Sequence, residues 1–314
     1  MSTHRSSGDS LADRRFDYAM RYREAGDHRA AAELIAQALE RAPDWAAGFL
    51  ALGEAWEAAG EAAAAAQAYR AALERDPADS VGAGVRLARL GLRSVDGALS
   101  TAHVAALFDD YAPRFETALV QGLRYRGPAL LRGAIMAAGP RRFAHALDLG
   151  CGTGLMGEAL VDLYERIDGV DLSDAMLAVA RGKSIYARLD RDDLIAFLDR
   201  QPPGSIDLAV AADVLVYLGD LGAVCAAVGR VLEPGGLFTF TVQDAGTEDM
   251  RLGADLRYAH GAAALRRWLA AACFAVVSLE AASTRDDAGA PVPGLVCVAR
   301  KEAPQTEGSK VIGP

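Results

Sequence analysis

The chain has 314 residues, of which 24% are charged, and this length favours two domains over one. A net charge of -9 at pH 7 argues against nucleic acid or an anionic membrane surface as the main partner. Charged side chains interrupt the most apolar stretch, residues 206–232, and the amino terminus MSTHRSSGDS has no apolar signal segment. We therefore expect a cytoplasmic protein without a membrane span. The four cysteines are widely separated in the sequence, namely Cys151, Cys225, Cys273 and Cys297. We expect them to be reduced thiols in the core, and we expect no metal site.

The first ninety residues contain a repeat with a period of 34 residues. Small residues match small ones, Gly26 matches Gly60, and Ile35 matches Tyr69. Small residues let antiparallel helices approach, and large ones fill the groove between them. The pattern resembles the tetratricopeptide repeat and predicts five helices, with repeats over 12–45 and 46–79 and a capping helix over 80–92. Such a region serves either a protein partner or packing and self-association.

From residue 144 onward, short apolar runs alternate with helix-like segments, the first of which is GLMGEALVDLYER at 154–166. This alternation predicts a parallel sheet with helices on both faces, and ligands bind at the carboxyl ends of its strands. We expect the helical part to fold independently of this α/β part. The predicted order along the chain is a disordered N-terminus over 1–11, helical repeats over 12–92, a linker and lid helix over 93–127, the α/β domain over 128–301 and a disordered tail over 302–314.

A glycine-rich turn, LDLGCGTGLMG at residues 147–157, follows the first predicted strand. Gly150, Gly152 and Gly154 allow a tight turn and a close approach of the backbone to a ligand. The last three glycines of the segment also satisfy the dinucleotide fingerprint GxGxxG, which is a weak signal in a chain with 32 glycines. Asp148 disfavours a pyrophosphate above the turn and suits the ammonium group of an aminoacyl nucleoside.

Acidic residues follow the second and third predicted strands. Asp171 is placed to accept hydrogen bonds from both ribose hydroxyls, as either class of cofactor requires. Asp193 is placed to accept from an adenine amino group, while Leu194 offers its backbone N–H to the ring. The alternative for Asp192 and Asp193 is capping of the following helix.

Together, the DxGxGTG turn, Asp171, Asp193 and LEPGG at 232–236 resemble the class I S-adenosylmethionine-dependent methyltransferases, over roughly residues 105–300. The resemblance implies a Rossmann-like sheet with S-adenosylmethionine as its cofactor. It also implies that LFDDYAPRFE at 107–116 is a lid, with Tyr111 reaching the methionine end; the alternative is a packing helix. The predicted cofactor-binding residues are Tyr111, Asp148, Gly150, Gly152, Gly154, Asp171, Leu172, Met176, Asp193 and Leu194.

Further segments, among them LRYRGP at 123–128 and LRYAHG at 256–261, resemble bacterial predicted methyltransferases that carry N-terminal tetratricopeptide repeats. The resemblance then covers nearly the whole chain. One departure is Cys273, which replaces the usual glycine before Phe274 and affects a helix end.

Methyl transfer from a sulfonium needs little covalent help, because the electrophile is already activated and positioning dominates. A general base assists an acceptor that carries a proton. The candidates for this base are His260, Tyr217 and Asp213, and two further candidates are Tyr258 and Asp244.

Each candidate has a plainer interpretation. His260 also suits helix capping or solvent exposure, and Tyr258 suits packing. Arg285 is expected to be a solvated hairpin charge rather than a partner for an acidic acceptor. His145 is expected to play no catalytic part.

The sequence therefore predicts an S-adenosylmethionine-dependent methyltransferase with an unidentified small-molecule or protein acceptor. An NAD-linked oxidoreductase and a non-catalytic cofactor-binding scaffold are the alternatives.

Overall fold

The computed structural model describes residues 6–139, 141–287 and 289–303, and it divides the chain into two compact units. The first comprises the residues up to Pro113 together with Tyr217–Asp220 and Arg251–Tyr258. The second comprises Arg114–Val216, Leu221–Met250 and the residues from Ala259 onward. Across the described ranges, no helix has both the length and the apolar character needed to cross a membrane.

Helices build the first unit. They are α1 (Ser10–Glu24), α2 (His28–Leu39), α3 (Ala46–Ala58), α4 (Ala62–Arg75), α5 (Ala83–Arg89) and α6 (Thr101–Tyr111). Five of them lie in the region for which the repeat predicts five. The disorder predicted as far as residue 11 is wrong for residues 6–11, because Asp9 caps α1 by accepting from the backbone N–H groups of Leu11 and Ala12 at 2.9 Å. The tail predicted as disordered from 302 lies outside the described residues from 304 onward.

The 34-residue period corresponds to two helical hairpins, α1–α2 and α3–α4. Gly26 and Gly60 end the first helix of each hairpin with φ of +84° and +81°, a conformation that favours glycine. Gly53 lies against Tyr69, since a Cβ at Gly53 would come within 2.3 Å of that ring. The small and large positions of the repeat thus allow the close contact between α3 and α4.

The first unit also contains two stretches from the carboxyl-terminal half of the chain. Leu252 and Leu256 pack against the cluster of Val85, Ala88 and Ala98. The Tyr258 hydroxyl donates to the carbonyl of Val95 at 2.6 Å. Apolar residues far along the chain thus add to the packing of this unit, and the independent folding of residues 12–92 stays a prediction.

The second unit is built on a sheet. Its helices are α7 (Gly127–Ala137), α8 (Leu155–Ala159), α9 (Asp174–Lys183), α10 (Leu194–Asp199), α11 (Gly222–Val231) and α12 (Ala262–Ala271). The strands are β1 (Phe143–Leu149), β2 (Tyr164–Asp171), β3 (Arg188–Arg191), β4 (Ile206–Ala211), β5 (Leu232–Asp244), β6 (Met250–Leu252), β7 (Tyr258–His260), β8 (Phe274–Ala281), β9 (Asp286–Asp287), β10 (Ala290–Pro291) and β11 (Gly294–Lys301). Arg251 and Leu252 of β6 and Tyr258 of β7 belong to the first unit.

The main sheet has the order β3-β2-β1-β4-β5-β11-β8. The first five strands of this order are parallel, whereas β11 is antiparallel to both β5 and β8. The fully parallel sheet predicted from the alternation is thus wrong at one edge. No helix separates β8 from β11 along the chain, so β11 runs back beside β8 in the opposite direction.

Helix α8 is much shorter than the predicted segment 154–166. It ends at Ala159, and residues from Tyr164 onward form β2, whose pairing with β1 begins at Phe143↔Tyr164. Ile167 and its apolar neighbours are buried in the core that also contains Leu131 and Ile135 of α7. Burial in the sheet therefore outweighs the helical propensity of this stretch.

Candidate cofactor site

The glycine turn lies between β1 and α8. Gly150, Gly152 and Gly154 have φ of +66°, +53° and +93°, which L side chains rarely adopt. A Cβ at Gly150 would lie 2.4 Å from a methyl carbon of Val214. A Cβ at Gly152, in contrast, would meet no described heavy atom within 4 Å, which leaves space for a ligand beside the backbone.

Asp171, the last residue of β2, is hydrogen-bonded to the glycine turn. Its Oδ2 accepts from the backbone N–H of Gly152 at 2.9 Å, and its Oδ1 accepts from that of Ser173 at 2.9 Å. A carboxylate has about four lone-pair sites, so one such group can accept several hydrogen bonds. The predicted ribose role is compatible with this geometry, but the bond to Gly152 was not predicted.

Asp148 is buried at the end of β1, with 1% of its surface exposed. The Tyr186 hydroxyl donates to Asp148 Oδ2 at 2.6 Å. Burial raises the pKa of the Asp148 carboxyl to about 7, the hydrogen bond from Tyr186 opposes this shift, and the charge of Asp171 adds to it. A group this buried makes no direct contact with a ligand in this conformation, so its charge acts at a distance.

Asp193 caps α10. Its Oδ1 accepts from the backbone N–H groups of Ile195 at 2.9 Å and Ala196 at 3.2 Å. The capping alternative is thus correct for Asp193, whereas Asp192 accepts from the Asp193 N–H and pairs with Arg200. Among the described residues no hydrogen bond reaches Asp193 Oδ2. The cap is therefore compatible with a second role at an adenine.

The other predicted cofactor residues differ in their surroundings. Leu194 begins α10 and is 8% exposed, and Leu172 is half-buried. Met176 is fully buried, so its side chain lies in the core rather than facing a cofactor. Tyr111 ends α6 in the first unit, and its approach to a cofactor stays a prediction.

Asp213 follows β4 with φ of +56°, an uncommon conformation for a non-glycine residue. Thr241 Oγ1 donates to its Oδ1 at 2.8 Å, and Thr284 Oγ1 donates to its Oδ2 at 2.9 Å. Arg285 Nη1 lies 3.4 Å from the same Oδ2. Because these contacts use both carboxylate oxygens, they favour an anchoring role for Asp213 over its predicted role as a base.

Arg285 is only 4% exposed, so the expectation of a solvated hairpin charge is wrong. Its partner Asp213 stands 72 residues earlier, which sequence patterning alone does not reveal. Cys273 also differs from expectation, since it is exposed whereas the other three cysteines are buried.

His260 ends β7 and is fully buried, so the expected solvent exposure is wrong. Its ring makes an edge contact with Trp268, with centroids 5.9 Å apart, and Gly261 rather than His260 caps α12. Tyr217 belongs to the first unit, where its ring contacts Phe108 and its hydroxyl accepts from Arg257. His260 and Asp213 belong to the second unit.

His145 has a structural role. Its Nε2 lies 2.9 Å from Asp168 Oδ2, and its Nδ1 lies 3.1 Å from the carbonyl of Ser205. These contacts join β1 to β2 and to the residue that precedes β4.

Known proteins resemble the segment that carries the glycine turn. Residues 147–238 match the model of a family described as a methyltransferase domain. The ubiquinone biosynthesis O-methyltransferase of Thiobacillus denitrificans is 34% identical over 102 residues, which are 30% of this chain and 42% of that protein. Its counterpart from Idiomarina loihiensis is 32% identical over 110 residues, covering 34% and 45% respectively. Residues 147–238 are thus similar to a methyltransferase domain.

The methyltransferase domain match contains Asp171, Asp193 and Asp213, but not His260 or Arg285. The chain spans less than half the length of the two curated relatives, at 42% and 45%. Among solved structures, a 1,6-didemethyltoxoflavin-N1-methyltransferase of Burkholderia thailandensis with bound S-adenosylhomocysteine is 20% identical, with a TM-score of 0.48. That likeness covers 64% of this chain and 90% of the other, and it is too weak for a conclusion about function.

The glycine turn and the sheet around it fit an aminoacyl nucleoside better than a dinucleotide. Gly157, which completes GxGxxG, lies against Tyr186, since a Cβ there would come within 2.6 Å of the hydroxyl. This glycine is thus explained without a pyrophosphate. The antiparallel β11 is a further departure from the parallel dinucleotide-binding sheet.

Proposed function

We propose that this chain transfers a methyl group from S-adenosylmethionine to a small-molecule or protein acceptor. The observation that supports this most is the hydrogen bond from the Gly152 N–H to the Asp171 carboxylate. This bond holds the proposed acceptor of the ribose diol beside the glycine turn, which has space for a ligand at Gly152. Asp193 and Leu194 would receive the adenine at the start of α10. The bound cofactor supplies an activated methyl group on a sulfonium.

The residues of the chain bind, orient and exclude water rather than form a covalent intermediate. Asp171 would hold the ribose, while the backbone of the glycine turn lies along the ligand. Asp213 holds the loop of Thr284 and Arg285 in place beyond β4. His260 lies at the end of β7, whose pairing partner β5 ends beside it at Asp244, and it would accept a proton from the acceptor only in a conformation that exposes its ring.

Transfer of labelled methyl groups tests the proposal. The protein is incubated with S-adenosylmethionine labelled in its methyl group and with a cell lysate, and the label is followed into the protein and small-molecule fractions. We expect label in one fraction with the wild type and much less with Asp171→Ala at limiting cofactor. Binding of S-adenosylhomocysteine without any label transfer would favour the non-catalytic scaffold.

We also propose that the first unit is a tetratricopeptide-type module that binds a protein segment. The support is the 34-residue pairing of its hairpins and a concave surface lined by Glu54, Glu57, Ala58 and Arg86. Ion pairs from Arg86 to Glu54 and from Arg89 to Glu57 cross this surface. A bound segment should carry charges that compete with these pairs.

Affinity capture with the full chain tests this second proposal. A protein retained by the wild type should be lost with Arg86→Glu and retained by Arg29→Glu, which changes an exposed ion pair with Glu61. Equal retention by all three forms would contradict a role for the concave surface.

A further inference from the structure

Tyr186 joins three parts of the cofactor site that are distant in the sequence. It lies between α9 and β3, and the N–H of the next residue, Ala187, donates to the carbonyl of Ile167 in β2 at 2.8 Å. Its hydroxyl donates to Asp148 Oδ2 at 2.6 Å across 38 residues. The side chain therefore connects the segment just before β3 with the carboxyl end of β1.

The ring of Tyr186 also limits the residues that the glycine turn accepts. A Cβ at Gly157 would lie 2.6 Å from the Tyr186 hydroxyl oxygen, and one at Gly154 would lie 3.1 Å from its Cε2. Both distances are shorter than ordinary carbon contacts. The start of α8 is thus packed directly on Tyr186.

We propose that Tyr186 is a positioning residue for the cofactor, which fixes the Asp148 carboxylate and the first turn of α8 beneath the binding loop. This inference rests on the proposed function and adds a residue to it. Tyr186 itself would not touch the cofactor. Its effect passes through Asp148 and through the backbone that the cofactor lies against.

The electrostatic part of this role follows from the groups around Asp148. These are the Tyr186 hydroxyl, the Gly157 N–H and the carboxylate of Asp171, with Cys151 and Tyr164 nearby. The hydroxyl and the N–H favour the ionised carboxyl, whereas burial and Asp171 disfavour it. Removal of the hydroxyl should therefore raise the pKa of Asp148 above its present value of about 7. A neutral Asp148 attracts a sulfonium and an ammonium less than an ionised one does.

The test is the affinity for S-adenosylhomocysteine as a function of pH, from about pH 5.5 to about pH 9. In the wild type, affinity should fall as the pH drops through about 7, because the ammonium group favours the ionised Asp148. In Tyr186→Phe the midpoint should move to higher pH, with about tenfold weaker binding near pH 7. In Asp148→Asn this titration should be absent, with or without Tyr186→Phe.

Tyr164→Phe is the matched control. The Tyr164 hydroxyl donates to the carbonyl of Gly157 at 3.2 Å, so its loss disturbs the same helix without removing a donor from Asp148. We expect its midpoint to equal that of the wild type. An equal shift of the midpoint in Tyr164→Phe, or no shift in Tyr186→Phe, would overturn this inference and leave the proposed function standing.

A ligand-free measurement supplements the binding series. The carboxyl carbon of Asp148, followed by carbon-13 NMR, should titrate at higher pH in Tyr186→Phe than in the wild type, and identical titrations would contradict the role. If Tyr186→Phe does not fold, Gly157→Ala displaces the same hydroxyl and should move the midpoint in the same direction. Absence of S-adenosylhomocysteine binding by the wild type at every pH would instead overturn the proposed function, and this inference with it.

Discussion

The backbone N–H of Gly152 donates to Asp171 Oδ2 at 2.9 Å, across 19 residues of sequence. This bond joins the turn after β1 to the carboxyl end of β2. A substitution at Asp171 would therefore remove the proposed ribose acceptor and a support of the turn together.

We expect Asp171→Ala to weaken S-adenosylhomocysteine binding by roughly thirtyfold to a hundredfold, because the ribose diol and the Gly152 N–H both lose an acceptor. Asp171→Asn keeps a side-chain oxygen for Gly152 and should lose only about tenfold. Turnover at saturating cofactor should be largely retained, with the change in the apparent KM. Calorimetry and initial rates on folded variants measure both effects; unchanged affinity in Asp171→Ala would mean that the ribose lies elsewhere.

Asp193 should have separable roles in stability and in base selection. Asp193→Ala should lower the free energy of unfolding by about 1 kcal/mol through loss of the α10 cap and relax the preference for adenine over hypoxanthine. Asp193→Ser keeps a capping side chain but does not extend as far, so stability should be retained while selectivity falls. Urea unfolding and affinities for S-adenosylhomocysteine and S-inosylhomocysteine provide the comparison. Full selectivity in both variants would leave capping as the only role.

The buried Asp148 predicts a pH dependence of stability. Its pKa is about 7 in the folded chain against an ordinary aspartate pKa of 3.8, so between these values the folded state binds more protons than the unfolded state. This residue therefore stabilises the fold at low pH, and its contribution declines as the pH rises from about 4 to about 7. Asp9 and Asp168 have lowered pKa values and act in the opposite direction.

The difference between wild type and Asp148→Asn isolates this contribution. The variant should gain stability relative to the wild type as the pH rises through this range, measured by urea unfolding at several pH values. A difference that is constant with pH would show that Asp148 is ionised throughout.

Cys273 should destabilise the end of α12. It has φ of +58°, the left-handed conformation that glycine adopts without strain after a helix. Cys273→Gly should raise the free energy of unfolding by about 0.5 to 1 kcal/mol, since relief of strain exceeds the added freedom of the unfolded chain. Cys273→Ala keeps the strain and should change little. Equal stability of all three forms would show that the strain is relieved by other means.

The sequence predicted the parts of the site whose chemistry is local. The glycine turn has the required positive φ values at Gly150, Gly152 and Gly154, and Asp171 stands at a strand end. Such features depend on residues that are adjacent in the chain. The five helices of the repeat region followed from periodicity in the same way.

The features that sequence reasoning missed depend on distant contacts. Tyr186 reaches Asp148 across 38 residues, and Arg285 reaches Asp213 across 72 residues. The burial of His260 and the antiparallel direction of β11 are properties of the assembled sheet. Of these contacts, only the one made by Tyr186 had a trace in the sequence, which is Gly157. A glycine inside a helix often indicates that another residue packs closely against it.

The most direct test of the central claim is calorimetric titration of the full chain with S-adenosylhomocysteine, with NAD in a parallel titration. A folded protein that binds S-adenosylhomocysteine at about one site with a dissociation constant in the micromolar range, and shows no heat with NAD, is the predicted result. No heat with S-adenosylhomocysteine at high micromolar concentration, or comparable heat with NAD, would contradict the account.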